Sequence, residues 1–245
     1  MDIKILDSID VVVLDIEGTT TPIDFVHKTL FQYAKNNLYN FLKKNKNSHV
    51  VQKALDELRT ANLDILEKIS GNVAGDTSEE ISIKNNVSIL NHLIDLDSKA
   101  PQLKIIEGMI WEEGYRDGSL RGEVYSDVPV SMKKWTGAGK RICIYSSGSV
   151  LAQKLIFSST GYGDLTSYIT NYFDTEIGRK TDPESYRNIA AILGKNPEKI
   201  LFLSDSPKEL DAAASEGFRT IMIDREGKLN MNAYPLIVSN FSEIT

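Results

Sequence analysis

Two acidic residues stand two positions apart where an apolar segment ends near the start of the chain. Residues 11–14, VVVL, run directly into the hexapeptide DIEGTT at 15–20. Side chains at alternate positions of an extended segment point the same way, so Asp15 and Glu17 can act on one ligand. Gly18 permits a sharp turn, after which two threonines can face an oxyanion. The pattern suits nucleophilic, acid-base or metal-ligand chemistry, and a solvated acid-and-glycine turn is the alternative.

A second candidate site combines hydroxyl groups with a helix start. The apolar segment 142–145 leads into Ser146, Ser147, Gly148 and Ser149, and a helical pattern follows. Amides in the first turn of a helix are unpaired and carry partial positive charge, so hydroxyls placed there complete a site for an anion. Ser146 and Ser147 are therefore candidates for binding a phosphate. Capping of the helix by Ser147 or Ser149 is the alternative.

Lys180 lies just before another predicted helix. Thr181 or Asp182 can cap this helix, with Pro183 at its first position. A lysine at such a start is placed to contact a phosphate as a point charge. An ordinary solvated lysine is the alternative.

A further acid follows the apolar segment 200–203. Asp205 stands at its end and could coordinate a hard divalent cation together with Asp15, since magnesium takes oxygen ligands and often one or two carboxylates. Glu209, four residues on, could orient Asp205 or a water of the metal. As the alternative, Asp205 caps a helix that starts near Pro207.

The elements that must position these side chains are strands of one sheet. Uniformly apolar segments are typical of parallel strands covered on both faces, and such sheets bind ligands beyond the carboxyl ends of their strands. Further strands are predicted at 220–223 and 236–238. We therefore expect an α/β fold with a doubly wound, mainly parallel, Rossmann-like sheet. Its core comprises residues 1–23 and 131–245.

Residues 24–130 are predicted to form an inserted helical cap domain. No uniform apolar strand occurs there, and apolar residues recur at helical spacing within 30–42, 51–58, 89–94 and 103–111. Loops are predicted around 71–76 and 97–101. A cap of this kind can exclude water from a site and select its substrate.

The order acid pair, hydroxyl, lysine, acid resembles the four motifs of the haloacid dehalogenase-like phosphotransferases along the whole chain. Longer stretches of sequence make the resemblance specific to one family within this group. DIEGTT and YSSGS, with LKIIEGMIWEEGYRDG at 103–118, AQKLIF at 152–157 and FDTEIGRK at 173–180, are similar to the acireductone synthases, the enolase-phosphatases of methionine salvage.

The resemblance implies a magnesium-dependent mechanism with an aspartyl-phosphate intermediate. Asp15 would be the nucleophile and a metal ligand, and Glu17 would lie in the metal and acid-base site. Asp205 would complete the shell of one Mg²⁺ per subunit. Ser146 and Ser147 would bind the substrate phosphate.

Lys180 would hold the charge of that phosphate.

The implied reaction converts 2,3-diketo-5-methylthiopentyl-1-phosphate to the acireductone 1,2-dihydroxy-3-keto-5-methylthiopentene and phosphate. A generic sugar-phosphate phosphatase or mutase of the same fold is the alternative. Glu17 and the sequence strings of the predicted cap domain distinguish the enolase-phosphatases from it. A non-catalytic interaction protein is disfavoured, because a scaffold has no physical need for acids that converge at strand ends.

Composition limits the partners. The 245 residues carry a net charge of −6, which disfavours nucleic acid, because such binding relies on clustered cations. No apolar stretch approaches the roughly 18 residues needed to span a bilayer, and one cysteine permits no internal disulfide. We expect a small-molecule phosphate substrate, no membrane partner and a cytoplasmic enzyme; the resemblance adds the nucleus and a monomeric state.

Overall fold

The computed structural model describes residues 3–61, 79–228 and 234–245. The predicted loop at 71–76 lies outside the described residues. The chain divides into two compact units, one formed by Met1–Val26 with Arg121–Thr245 and the other by His27–Leu120. The sequence-based boundaries at 23/24 and 130/131 differ from these by three and ten residues.

The second unit is helical throughout its described part. Its helices are α1 (Phe31–Lys44), α2 (His49–Ala61), α3 (Glu79–Asp95) and α4 (Pro101–Asp117), and a short π-helical segment, Phe25–Leu30, precedes α1. Helix α4 packs against α1 and α2, and α1 also packs against α3. Apolar residues at helical spacing form the buried faces of these helices, as the sequence predicted.

The first unit contains a six-stranded sheet in which every pair of neighbours is parallel. Its strands are β1 (Val11–Leu14), β2 (Arg141–Tyr145), β3 (Ile169–Phe173), β4 (Ile200–Ser204), β5 (Arg219–Ile223) and β6 (Ile237–Val238). Their order is β3-β2-β1-β4-β5-β6. Strand β1 is therefore central, and the chain reverses its direction of travel across the sheet beside it, where ligands of such sheets bind.

Helices α5 (Asp127–Gly137), α6 (Val150–Ser158), α7 (Pro183–Leu193) and α8 (Pro207–Ser215) complete this unit. Helices α7 and α8 pack with alternate residues of β1, β2 and β4 in one core cluster. The intervening residues of β1 are equally buried, so both faces of the strand are covered. The predicted α/β fold with a doubly wound parallel sheet is confirmed.

Two features of this unit were not predicted from the sequence. Strand β3 has the sequence ITNYF, whose polar residues lie on a partly exposed edge of the sheet, so it lacks the uniform apolar pattern. Helix α5 begins at Asp127 and packs against β2, within the first unit. The predicted boundary at 130 falls inside this helix, because a helix that covers a sheet has the same periodicity as one in a helical insertion.

Among the described helices, none combines the length and apolar character needed to cross a bilayer.

Candidate active site

Asp15 lies at the carboxyl end of the central strand with both carboxylate oxygens engaged. Its side chain is buried, and its backbone N–H donates to Leu203 O at 3.0 Å, which continues the β1–β4 pairing. Its Oδ1 accepts from the amide of Ile16 at 2.6 Å and lies 2.6 Å from Lys180 Nζ. Its Oδ2 accepts from Ser204 Oγ at 3.2 Å. The carboxylate is thus held in one orientation by groups from three segments of the chain.

Lys180 lies between two carboxylates. Its ammonium is 2.6 Å from Asp15 Oδ1 and 2.5 Å from Glu209 Oε2, and it sits near the faces of the Tyr145 and Phe202 rings, 5.9 and 6.0 Å from their centroids. Burial acts to lower the pKa of Lys180, but the charges and hydrogen bonds of the two carboxylates outweigh it and raise the pKa above its ordinary value. Lys180 is therefore a fixed, buried cation.

Two further carboxyls of this cluster have raised pKa values. Burial first, and then the charge of Asp15, raise the pKa of Asp205 to about 7, although Lys180 acts in the opposite direction. Burial and Asp15 likewise raise the pKa of Glu209. Ser204 Oγ lies within hydrogen-bonding distance of Asp15 Oδ2 and of Glu209 Oε2, at 3.2 and 3.0 Å. One hydroxyl proton serves only one of these acceptors at a time. The carboxyl groups of Asp15, Asp205 and Glu209 thus outnumber the one ammonium, that of Lys180, which offsets their charge.

This excess of carboxylate over ammonium fits a divalent cation. Asp15, Asp205 and Glu209 face a single buried lysine, and their oxygens are the ligand type that Mg²⁺ prefers. Across residues 3–61, 79–228 and 234–245, no three His, Cys, Asp or Glu side chains converge as a ready-made shell. Magnesium commonly takes one or two carboxylates and completes its octahedron with water and phosphate, so carboxylates such as those of Asp15 and Asp205 would fit this pattern.

The turn at residues 16–21, which we call the acid turn, carries Glu17 and Gly18. The amides of residues 19, 20 and 21 all donate to Ile16 O, at 2.9 to 3.2 Å, and Gly18 N donates to Thr21 O at 2.8 Å. Gly18 has φ +69°, and a Cβ there would lie 2.1 Å from Asp205 Oδ2. Only glycine therefore allows this turn to pack directly against the carboxylate. Glu17 is half-buried beside it.

The serine turn, residues 146–149, lies at the same edge of the sheet. Ser146 is buried and its Oγ accepts from Gly148 N at 3.1 Å, while Ser147 is half-buried. Ser149 caps α6 by accepting from Ala152 N at 3.3 Å, so the capping alternative holds for Ser149. The bonds of the turn leave Ser147 without a capping role.

Side chains outside the turn fix it. Buried Gln153 donates from Nε2 to Gly148 O at 2.9 Å and to Phe173 O at 2.8 Å. Asp174 Oδ2 accepts from Val150 N at 3.2 Å, the first amide of α6.

The structure also tests whether Asp182 and Asp205 cap the helices that follow them. Asp182 caps α7 by accepting from Glu184 N at 3.0 Å, with Pro183 as the first helical residue. Asp205 does not cap α8, because the N-cap position is Ser206 and no side-chain capping bond is present there. Asp205 is thus left for a role at the strand end.

Three contributions to this region were not identified from the sequence. Ser204 precedes Asp205 at a strand end, and this position could have marked it as a candidate site residue. Serine is common at such positions, so the signal is weak. The rings of Tyr145 and Phe202 flank Lys180, but they belong to β2 and β4, whose apolar sequences predict only buried strands. Arg225 follows β5 and donates to the carbonyl of Thr19 in the acid turn; 206 positions separate the two residues, so no local pattern shows the contact.

A family model for haloacid dehalogenase-like hydrolases matches residues 9–217. Enolase-phosphatase E1 of Drosophila willistoni is 42% identical to this chain over 221 residues, which cover 90% of this chain and 89% of that protein. Enolase-phosphatase E1 of Persephonella marina is 41% identical over 239 residues, covering 97% and 99% of the two chains.

Solved structures share the fold of this chain. The UTR4 protein of Saccharomyces cerevisiae has a TM-score of 0.74 and 33% identity, covering 95% of this chain and 98% of that one. A HAD phosphatase from Thermococcus onnurineus, with a TM-score of 0.59 and 18% identity, shares the fold. Because the family model spans most of the chain and relatives above 40% identity match it over nine-tenths of its length, the chain belongs to the enolase-phosphatase E1 family, the acireductone synthases, of the haloacid dehalogenase-like hydrolases.

Proposed function

We propose that this phosphatase is a bifunctional enolase-phosphatase of methionine salvage. It converts 2,3-diketo-5-methylthiopentyl-1-phosphate to the acireductone 1,2-dihydroxy-3-keto-5-methylthiopentene and inorganic phosphate. The observation that carries the proposal is the buried pair of Asp15 and Lys180, whose Oδ1 and Nζ are 2.6 Å apart at the end of the central strand. An oriented carboxylate beside a fixed cation is what nucleophilic attack on a phosphate monoester requires.

In the first half of phosphate transfer, Asp15 attacks phosphorus in line with the ester oxygen. The bond from phosphorus to that oxygen breaks as the bond to Asp15 forms, which gives an aspartyl phosphate. Glu17 supplies the proton that the leaving oxygen takes up. Lys180 and the hydroxyls of Ser146 and Ser147 offset the charge on the phosphoryl oxygens.

In the second half, water attacks the phosphorus of the aspartyl phosphate. Glu17, which has given up its proton, accepts one from this water, and the bond between Asp15 and phosphorus breaks. Inorganic phosphate leaves and both carboxyl groups return to their starting states. The same carboxylate thus acts first as acid and then as base.

The enolase step removes a proton from a carbon next to a carbonyl and needs a base close to that carbon. The base is ionised at the start, and taking this proton puts it in the protonated state from which it can act as the acid in phosphate transfer. The proton that it later accepts from water passes to the enolate oxygen, which gives the neutral enediol and restores the ionised base. Among the four motifs, Glu17 is the candidate base, because it stands two residues from Asp15 at the end of the central strand, and a residue outside the motifs is the alternative. Mg²⁺ held by Asp15 and Asp205, with Glu17 nearby, would supply charge neutralisation for the phosphate and for the developing enolate.

We further propose a monomer with one Mg²⁺ per subunit that acts in the cytoplasm and nucleus. The resemblance of the motifs supports this. Light scattering at several protein concentrations tests the monomer, and a mass that rises to twice 27.3 kDa would contradict it.

The decisive experiment supplies the purified protein with Mg²⁺ and the diketo phosphate. Released phosphate and the ultraviolet absorbance of the enediol are recorded together. We expect both signals to rise in parallel and both to disappear on chelation of the metal. Phosphate release from simple sugar phosphates, with no enediol from the diketo substrate, would instead show a generic phosphatase.

A further inference from the structure

Arg225, at the carboxyl end of β5, is buried and bonded at every side of its guanidinium group. Its Nε and Nη2 both donate to Thr19 O, at 3.0 and 2.6 Å. Its Nη1 donates to Asp127 Oδ2 at 2.8 Å and to Ser239 O at 3.2 Å. The side chains of Arg225 and Asp127 are only 6% and 7% exposed.

Aromatic rings restrict the guanidinium plane further. Its central carbon lies 4.2 Å from the centroid of the Tyr125 ring and 4.7 Å from that of Phe241. A guanidinium stacks on aromatic faces and presents a rigid fork of donors, which an ammonium cannot reproduce. Asp127 Oδ2 also accepts from Phe241 N at 2.6 Å, so the counter-charge of Arg225 is fixed as well.

The carbonyl that receives this fork belongs to the acid turn. Thr19 follows Glu17 and Gly18, and the next carbonyl, Thr20 O, accepts from Tyr125 N at 3.0 Å. The outer side of the turn is therefore fastened at two consecutive carbonyls. Its inner side packs against Asp205, because Gly18 leaves no room for even a Cβ in front of Asp205 Oδ2. A displacement of Thr19 would thus move the contact between the turn and Asp205.

We propose that Arg225 is a positioning residue for the acid turn, which it holds at the distance from Asp205 that metal binding and catalysis need. The inference rests on the proposed function for its kinetic consequence, but its metal-binding consequence is independent. The side-chain hydrogen bonds of Arg225 go to Thr19, Asp127 and Ser239. Arg225 acts through the carbonyl of Thr19 on the placement of Glu17 and Gly18. Arg225 also lines a pocket of about 300 Å³ whose lining includes Gly18 and Asp205.

The test compares Arg225→Lys and Arg225→Met with a matched pair at Arg187. Arg187 makes an equally regular two-bond contact with Glu216, at 3.0 and 2.8 Å, but its side chain is 65% exposed and these bonds do not reach the acid turn. Mg²⁺ binding is measured by calorimetry, and kcat and KM are measured with the diketo phosphate. Midpoints of thermal unfolding are recorded for all variants.

We expect Arg225→Met to raise the dissociation constant for Mg²⁺ and to lower kcat, each by at least about tenfold, because an oriented supporting contact near a metal typically has effects of that size. KM should change less than kcat. Arg225→Lys keeps a positive charge beside Asp127 and should recover part of both losses. The Arg187 variants should bind Mg²⁺ and turn over as the wild type does.

A purely structural anchor predicts a different pattern. Unfolding midpoints would fall while the Mg²⁺ dissociation constant and kcat of Arg225→Lys stayed within twofold of the wild type, and that result would overturn the proposal. If Arg225→Met does not fold, the Mg²⁺ dissociation constant and kcat of Arg225→Lys alone decide between a positioning role and a purely structural one. An inactive wild type would refute the proposed function, whereas the calorimetric comparison would still decide the role of Arg225.

Discussion

At the scale of single residues, the site depends on how one buried cation is shared. Lys180 contacts Asp15 and Glu209 at 2.6 and 2.5 Å, and Ser204 lies between the same two carboxylates. A buried ammonium that lost either partner would carry a larger desolvation cost. The lysine therefore keeps Asp15 in place while the excess negative charge remains available to a divalent cation.

Replacing the nucleophile should separate chemistry from folding. We predict that Asp15→Asn lowers phosphate release by at least about 1,000-fold, because an amide cannot form the acyl phosphate. The unfolding midpoint should change little, since asparagine has nearly the same shape. The exposed Asp211 of α8 offers a control: Asp211→Asn should keep full activity. Substantial activity in Asp15→Asn would exclude Asp15 as the nucleophile.

Asp205 is predicted to act on the metal. Asp205→Asn removes one of the proposed carboxylate ligands and should raise the Mg²⁺ concentration for half-maximal activity by at least about tenfold, with a loss of kcat. A metal titration of phosphate release measures both quantities. An unchanged titration curve would remove Asp205 from the metal site.

At the scale of elements, the acid turn shows how a short loop converts a strand end into a site. It is closed by three amides that donate to Ile16 O. A left-handed Gly18 then brings the backbone against Asp205. The serine turn reaches comparable order through Gln153 and Asp174, which belong to neighbouring elements. Both turns are therefore positioned by contacts outside their own sequence.

Gly18 and Gly139 provide a matched pair for this turn. Both have positive φ, +69° and +79°, but a Cβ at Gly139 meets no atom within 4 Å, whereas one at Gly18 meets Asp205 Oδ2 at 2.1 Å. We predict that both alanine variants lose roughly 1–2 kcal/mol of stability from the left-handed backbone. Gly18→Ala alone should also weaken Mg²⁺ binding and activity. Chemical denaturation and metal titration measure the two effects, and normal metal binding by Gly18→Ala would contradict the close packing.

At the scale of the whole molecule, the helical unit contains a buried acid with no function in the four motifs. Glu107 of α4 is 4% exposed, and its Oε1 has no hydrogen-bond partner. Burial raises the pKa of Glu107 to about 8; Lys99 and Lys104 lower it slightly and Asp97 raises it. A carboxyl group that is costly to ionise makes the stability of the fold depend on pH.

The direction of that dependence follows from proton binding. Between the ordinary value of 4.5 and about 8, the folded protein keeps a proton on Glu107 that the unfolded chain has released. The free energy of unfolding should therefore fall as pH rises through this window. We predict that Glu107→Gln flattens this decline and is more stable than the wild type at pH 8. Denaturation curves at pH 5 and pH 8 measure it, with exposed Glu112→Gln as the control; equal slopes in wild type and Glu107→Gln would refute it.

Much of the fold follows directly from the sequence. Strands β1, β2, β4 and β5 could be predicted because each contains an apolar stretch that is buried in the sheet, as is typical of parallel strands covered on both faces. The four described helices of the second unit follow from apolar residues at helical spacing. Strand β3 could not be predicted in this way, because its three central residues are only partly covered at the sheet edge and ITNYF is not uniformly apolar.

The candidate site likewise has features that local sequence patterns show and features that they do not. The sequence by itself determined that Asp15, Glu17, Ser146, Ser147, Lys180 and Asp205 stand at strand or helix ends, because those positions follow from local periodicity and turn chemistry. Only the tertiary structure decided that Lys180 is shared by Asp15 and Glu209, and that Arg225 holds the carbonyl of Thr19. Such contacts depend on the order of strands in the sheet, which brings distant segments together, and strand order is a property of packing that no local sequence pattern contains.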